Sequence, residues 1–138
     1  MADIEKAGLL AVREGRVLLC RKRRGTRLWI LPGGKYEPGE DGEACMRREL
    51  AEEIGGARAR VGEFVAAYTS VAAGEGDRTL RVDLFLGDIE GAPEPRAEIG
   101  ELRWFGESDE WAELAPSLRE TIFPDLIRRG VLRWAERG

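Results

Sequence analysis

The chain has 138 residues, 43% of them apolar, and carries 22 basic against 26 acidic side chains for a net charge of −4. These values suit a single domain over residues 1–138 and exclude a protein that grips nucleic acid through a broad basic surface. Histidine is absent, so a histidine base, a Ser/His/Asp triad and a His-ligated zinc are excluded, leaving acid–base and metal chemistry to carboxylates, Lys, Tyr and Cys.

The N-terminal run from Met1 to Leu10 has neither a cationic start nor an apolar stretch with a cleavage site. No apolar run reaches the roughly 18 residues a membrane helix needs. The expectation is a soluble, unprocessed, cytoplasmic protein in which Cys20 and Cys45 stay reduced. In chain order, Leu9–Val12 and Arg16–Arg21 read as strands joined by Arg13-Glu14-Gly15. A basic stretch with Arg21, Lys22, Arg23, Arg24 and Arg27 follows, then a short apolar strand, Leu28–Leu31, stopped by a loop at Pro32-Gly33-Gly34. Asp41–Ile54 reads as a helix with acids at its start and Gly55-Gly56 just past its end. Ala59–Val71 and Thr79–Leu86 read as an antiparallel pair around a Gly74–Arg78 turn. Gly91–Pro95 reads as a loop, Leu102–Phe105 as a strand, Asp109–Leu114 as a short helix, and Ser117–Arg129 as a longer one interrupted by Pro124. Trp29, Tyr68, Phe85 and Trp104 fall in apolar strand patterns and are expected in the core.

The central helix carries the chemistry. At 100° per residue, Glu53 lies about +40° and Glu52 about −60° from Glu49, so three carboxylates share one face. Ala44, Leu50, Ala51 and Ile54 fall opposite and are expected to be the buried side. Three like charges within one turn repel one another, and a hard divalent cation that prefers oxygen ligands would offset that repulsion. Neutralisation by Arg47 and Arg48 would do the same without any metal.

The spacing around these acids separates the two readings. Gly34, five residues, Glu40, seven residues, then Arg48-Glu49-Leu50-Ala51-Glu52-Glu53-Ile54-Gly55 resembles the Nudix box, G-x5-E-x7-R-E-U-x-E-E-x-G-U, where U is apolar. Every fixed identity is present, and the one departure is Gly56 at the final apolar position. Leu31-Pro32-Gly33-Gly34-Lys35 and Glu37-Pro38-Gly39-Glu40 are also similar to that family's loop. The resemblance implies an α+β fold, an α/β/α sandwich with a mixed central sheet and flanking helices. It implies hydrolysis of a phosphoanhydride in a nucleoside diphosphate derivative with Mg²⁺, for which Mn²⁺ can substitute.

The resemblance also distributes roles. Glu52 and Glu53 are the principal metal ligands, with Glu49 and the Gly34 carbonyl completing the set, while Arg48 and Glu40 orient the carboxylates. The general base is Glu53 or Glu49 within the box; outside it, Glu101 is favoured over Glu98. Arg21, Arg23 and Lys35 are the candidate phosphate contacts. The compact chain is most similar to MutT-like nucleoside triphosphate pyrophosphohydrolases. ADP-ribose, another nucleotide sugar, a dinucleoside polyphosphate or a capped RNA end are alternative substrates, and a non-catalytic nucleotide sensor is the competing class. The expected partner is a small nucleotide, with no membrane and no stable nucleic-acid partner; the family also admits a homodimer.

Overall fold

The computed structural model of the chain describes residues 2–71 and 76–137. The chain opens with a hairpin of β1 (Ile4–Arg13) and β2 (Arg16–Lys22). Its two-residue turn has positive φ at both Glu14 (52°) and Gly15 (75°), as the twist of paired strands requires. β1 is longer than the apolar run Leu9–Val12 because it is paired nearly throughout, so its polar start at Glu5 and Lys6 is held by partners on both sides.

Four more strands and a helix follow: β3 (Gly33–Lys35), α1 (Gly42–Glu53), β4 (Ile54–Val71), β5 (Thr79–Pro95) and β6 (Ile99–Phe105). The sheet runs β4-β5-β1-β2-β6, with β3 also paired to β1. β1 and β5 are parallel and the other pairings antiparallel, which makes the sheet mixed.

Several expected boundaries move. Leu28–Leu31 is not a strand; it makes isolated bridges, Ile30 to Cys20 and Trp29 to Leu114, because the chain crosses between two elements there. The Gly33-Gly34-Lys35 loop is itself a strand against Lys6–Gly8. Gly55-Gly56 do not cap the helix: Ile54 turns extended and Gly55 already belongs to β4. Gly91–Pro95 is not a loop but the end of β5, paired back to Ile54–Ala57 across a bulge. Gly56, at φ 68°, sits in that bulge, and a Cβ there would stand 2.8 Å from the Ala92 carbonyl oxygen. An apolar residue at the last box position is therefore excluded by the local backbone. The expected Gly74–Arg78 turn lies partly outside the described residues.

The C-terminal part contains a 3-10 turn (Trp111–Glu113), a π-helical turn (Ser117–Ile122) and α2 (Phe123–Arg128), so the longer expected helix is present but composite. Phe123 N–H bonds the Leu118 carbonyl, five residues back. That wider turn accommodates Pro124, which lacks an N–H and would crowd a regular helix.

Apolar side chains alternate across β1. Ile4 and Leu10 join β5 and the C-terminal helical layer, including Leu118, Phe123 and Leu126, in one cluster. Ala7, Leu9 and Ala11 pack on the other face with Cys45, Met46, Leu50 and Ile54. Helices thus cover both faces of a mixed sheet. Trp29 and Tyr68 lie in the first cluster, while Phe85 and Trp104 pack half-buried on the second. No helix among the described residues is long and apolar enough to cross a membrane.

Candidate active site

Helix α1 starts where Asp41 accepts the Ala44 N–H at 2.8 Å, satisfying one of its free first-turn donors. Its buried residues are Cys45, Met46, Leu50 and Glu53, whereas Ala44 and Ala51 are exposed. The expected burial of those two alanines is corrected, since the sheet meets the helix further round its circumference. Glu53 in consequence lies inside the contact, only 4% exposed.

Glu53 accepts one hydrogen bond, from Gly33 N–H at 3.0 Å. Burial pushes its carboxyl up to about 8; the Gly33 bond and Lys6 oppose the shift, while Glu49 and Glu98 add to it. Burial also raises Glu49, against the pull of Arg48. Gly34 is what admits Glu49, because a Cβ on Gly34 would overlap the Glu49 carboxylate. Gly33, at φ 140°, lies so close to β1 that a Cβ would overlap the Ala7 carbonyl oxygen.

Arg48 ties these parts together. Its guanidinium holds Glu40 through Nε at 2.6 Å and Nη2 at 2.9 Å, Glu49 through Nη1 at 2.9 Å, and the Lys35 carbonyl through Nη2 at 3.0 Å. The Arg48 bonds hold the Glu40 carboxyl down at about 2. Glu40 in turn accepts the Glu37 N–H at 2.8 Å, fixing the loop before the helix. Arg48 thereby joins Glu40, Glu49 and the β3 backbone in one hydrogen-bonded network.

Glu52 is half-exposed and meets Arg48 at 3.5 Å. With Arg48 between Glu49 and Glu52, no three acidic or thiol side chains among the described residues are gathered into a metal-ligating group. The donor chemistry nevertheless fits a hard divalent cation. The oxygens are carboxylate and carbonyl, and Glu53 is a buried acid with no ion-pair partner among the described residues. The Gly34 carbonyl also lies 3.5 Å from the weak Cys45 thiol donor. Both cysteines are free and buried; burial raises both thiols, Cys45 to about 11, which leaves them unreactive.

The residues outside the box divide. Glu101 lies on β6 beside Arg21 and accepts from Arg21 at 3.4 Å and Arg27 at 3.3 Å. Glu98 adds to the upward shift of both Glu53 and Glu49. Glu98 follows Arg96, whose N–H bonds the Glu53 carbonyl at 2.8 Å, so its loop is stitched to the end of α1. Arg23 secures that loop, through Nε to the Ala97 carbonyl at 2.9 Å and N–H to the Glu98 carbonyl at 2.8 Å. Arg21 is committed elsewhere, stacked 4.1 Å over Trp29 and bonded to Glu113 at 3.1 Å. Of the three expected phosphate contacts, Lys35 alone borders a cavity, of about 630 Å³, between the sheet and the C-terminal helical layer.

Lys6, which the sequence reading passed over, points into the same cavity. The signal was present in the period-two alternation of β1, which sets Lys6 on the face of Ile4 and Leu10. Burial lowers its ammonium pKa; neighbouring Lys22 and Lys35 add to the shift and Glu53 opposes it.

A mixed sheet between helical layers, with a carboxylate-bearing helix end facing a paired Gly-Gly strand, defines a class of small α+β proteins built around one acidic site. The chain belongs to the NUDIX family, whose domain model matches residues 5–126. It is 36% identical over 77 residues to the CTP pyrophosphohydrolase of Escherichia coli K12, a match covering 54% of this chain and 56% of that protein. The matched stretch thus spans little more than half of that relative. Among solved structures, the E. coli ORF135 protein is 29% identical with a TM-score of 0.68, covering 92% of this chain and 91% of its own. A MutT protein from Methanosarcina mazei shares the fold at a TM-score of 0.75 and 23% identity, covering 92% and 94%.

Proposed function

We propose that the chain is a divalent-metal-dependent pyrophosphohydrolase acting on a nucleoside triphosphate. The observation that carries this reading is the buried Glu53 carboxylate, set against Gly33 and in no ion pair among the described residues. Support comes from the matched CTP pyrophosphohydrolase, whose name is of the same reaction class.

Glu52 and Glu53, with Glu49 and the Gly34 carbonyl, would hold Mg²⁺ or Mn²⁺. When bound, the cation supplies positive charge to the diphosphate oxygens and to the attacking water. Water oxygen adds to one phosphorus of the anhydride, the bridging P–O bond breaks, and the water proton passes to a carboxylate. For a nucleoside triphosphate cleaved at its inner anhydride the products are a nucleoside monophosphate and pyrophosphate. Within the box Glu53 and Glu49 are the candidate bases, both lifted by burial toward the pH at which a carboxylate accepts protons well. Outside it the geometry favours Glu98 over Glu101. Arg48 keeps Glu49 aimed and Glu40 fixes Arg48, so neither needs to touch substrate.

Glu53→Gln keeps shape and removes the charge. Turnover of the best substrate in a panel of nucleoside triphosphates and ADP-ribose, assayed with Mg²⁺, should fall by about two orders of magnitude without loss of the folded circular dichroism spectrum. Equal rates for variant and parent would place the chemistry elsewhere.

A further inference from the structure

The segment that joins β3 to α1 is held from two sides. On the helix side Arg48 grips Glu40 and the Lys35 carbonyl. On the sheet side the hold comes from Tyr36, at one of the unspecified positions of the box, and from Asp83 on β5, outside the box altogether. Tyr36 donates its hydroxyl to the Asp83 carboxylate at 2.6 Å and its N–H to the Glu5 carbonyl on β1 at 3.4 Å. Arg81, two residues before Asp83 and so on the same face of β5, reaches the same carboxylate oxygen at 3.2 Å. It also meets Glu5, its direct partner on the parallel β1, at 3.3 Å, so the acceptor is itself braced by both strands. The Tyr36 ring packs against the cluster under α1, with Ala7, Cys45 and Leu50. A phenylalanine ring would fill that place equally well; what the hydroxyl adds is a direction, through a charge-assisted bond stronger than a neutral one.

We infer that Tyr36 and Asp83 are positioning residues for the metal site, the phenol–carboxylate bond fixing from the sheet side the direction of the Gly34 carbonyl. The role of that carbonyl comes from the proposed hydrolase reading, and the inference rests on it in that respect. The acids of the site all stand on α1, whereas this one backbone oxygen stands on β3, so the set is only as well defined as the placement of β3 against the helix. Each residue there has two soft torsions, and glycine, without a Cβ, restrains its own least of all. β3 is three residues long and two of them are glycine, a weak clamp by itself. The bond from Tyr36 to Asp83 ends the freedom of the strand on its C-terminal side. Gly34 also lies flush against the Glu49 carboxylate, where even a Cβ would overlap it. A turn of the Gly34 peptide therefore displaces the Glu49 carboxylate as well as its own carbonyl. Mg²⁺ demands a near-octahedral set of oxygens and Mn²⁺ prefers one, a geometry that tolerates such misplacement poorly. In this arrangement Tyr36 and Asp83 act through the backbone alone.

The test reads Mn²⁺ binding by the metal-free full chain, from the loss of the free-ion paramagnetic resonance signal, beside turnover. Tyr36→Phe should bind Mn²⁺ about tenfold more weakly than the parent. Asp83→Asn should do the same, and the double variant should be no worse than the weaker single, since the pair acts as one unit. Tyr68→Phe is the control: it removes another phenol–carboxylate bond of 2.6 Å, to Asp125 in the C-terminal layer. It should lower the urea midpoint as Tyr36→Phe does and leave Mn²⁺ affinity at the parental value, whereas a merely structural role for Tyr36 predicts the same affinity in both variants. With a nucleoside triphosphate, the Mg²⁺ concentration for half-maximal turnover should rise about tenfold in Tyr36→Phe and stay parental in Tyr68→Phe. If Tyr36→Phe fails to fold, Asp83→Asn carries the test. Parental Mn²⁺ affinity in Tyr36→Phe, an equal loss in Tyr68→Phe, or no Mn²⁺ binding by the parent overturns the inference. If the parent hydrolyses no nucleotide while Tyr36→Phe still weakens Mn²⁺ binding, the hydrolase reading falls and the positioning pair stands.

Discussion

Glu53 is the residue at which sequence and surroundings disagree most. A glutamate near the end of an amphipathic helix is ordinarily solvated, yet here it is nearly closed off and its carboxyl is raised from 4.5 to about 8. The fold therefore favours the protonated form. Folded protein holds a proton that the unfolded chain releases above about 4.5, so the metal-free protein should lose stability as pH rises from there toward about 8. Thermal midpoints in EDTA from about pH 5 to about pH 8 should fall more for the parent than for Glu53→Gln, which cannot titrate. Parallel curves for the two proteins would show that Glu53 does not carry this proton. Saturating Mg²⁺ should reverse the trend in the parent, because a carboxylate ligand must be deprotonated to bind. Spacing identified this residue, whereas its burial depends on which arc of α1 the sheet covers, a property of the assembled layers.

At the level of elements, β3 shows why the Gly-rich segment was legible as chemistry and misread as a loop. Glycine is depleted in strands, and nothing local distinguishes a turn from a three-residue strand docked on β1. The two glycines serve different neighbours, which separates them by experiment. A Cβ on Gly33 meets the Ala7 backbone and also requires a positive φ, so Gly33→Ala should destabilise the fold by about 1–3 kcal/mol in urea denaturation. The atoms nearest a Cβ on Gly34 are the far end of the Glu49 side chain rather than backbone, so Gly34→Ala should cost under about 1 kcal/mol while displacing that carboxylate from the site. Its turnover should fall at least about tenfold with little change in the urea midpoint. Equal losses of stability in the two variants would contradict this division. The bulge pairing Gly56 with the end of β5 was illegible for a related reason: Gly91–Pro95 has turn composition, and only its long-range partner, the start of β4, makes it a strand.

For the molecule as a whole, the box and the cavity use opposite faces of one sheet. The cluster under α1 supports the carboxylates, and the cluster under the C-terminal helical layer supports the lysine-lined cavity. That helices flank a mixed sheet on both sides was implied by the resemblance of the box, but the assignment of faces requires the parallel β1–β5 pairing, which no local pattern announces. The second layer is fastened by Tyr68 on β4, whose hydroxyl donates to Asp125 on α2 at 2.6 Å, with Arg129 at 3.4 Å from the same carboxylate. The Tyr68 bond holds the Asp125 carboxyl below its usual range, so its contribution is present above about 3.8 and is lost as pH falls through the lowered value. Tyr68→Phe keeps the ring in the core and removes that bond. It should cost about 1 kcal/mol at neutral pH, read as a lower urea midpoint with unchanged slope. The cost should shrink in acid, where protonated Asp125 no longer gains from the interaction. Because Tyr68 and Asp125 touch neither the box nor the lysines, kcat and KM should stay at parental values. A change in KM would mean that docking of the C-terminal layer sets the width of the cavity as well as its stability.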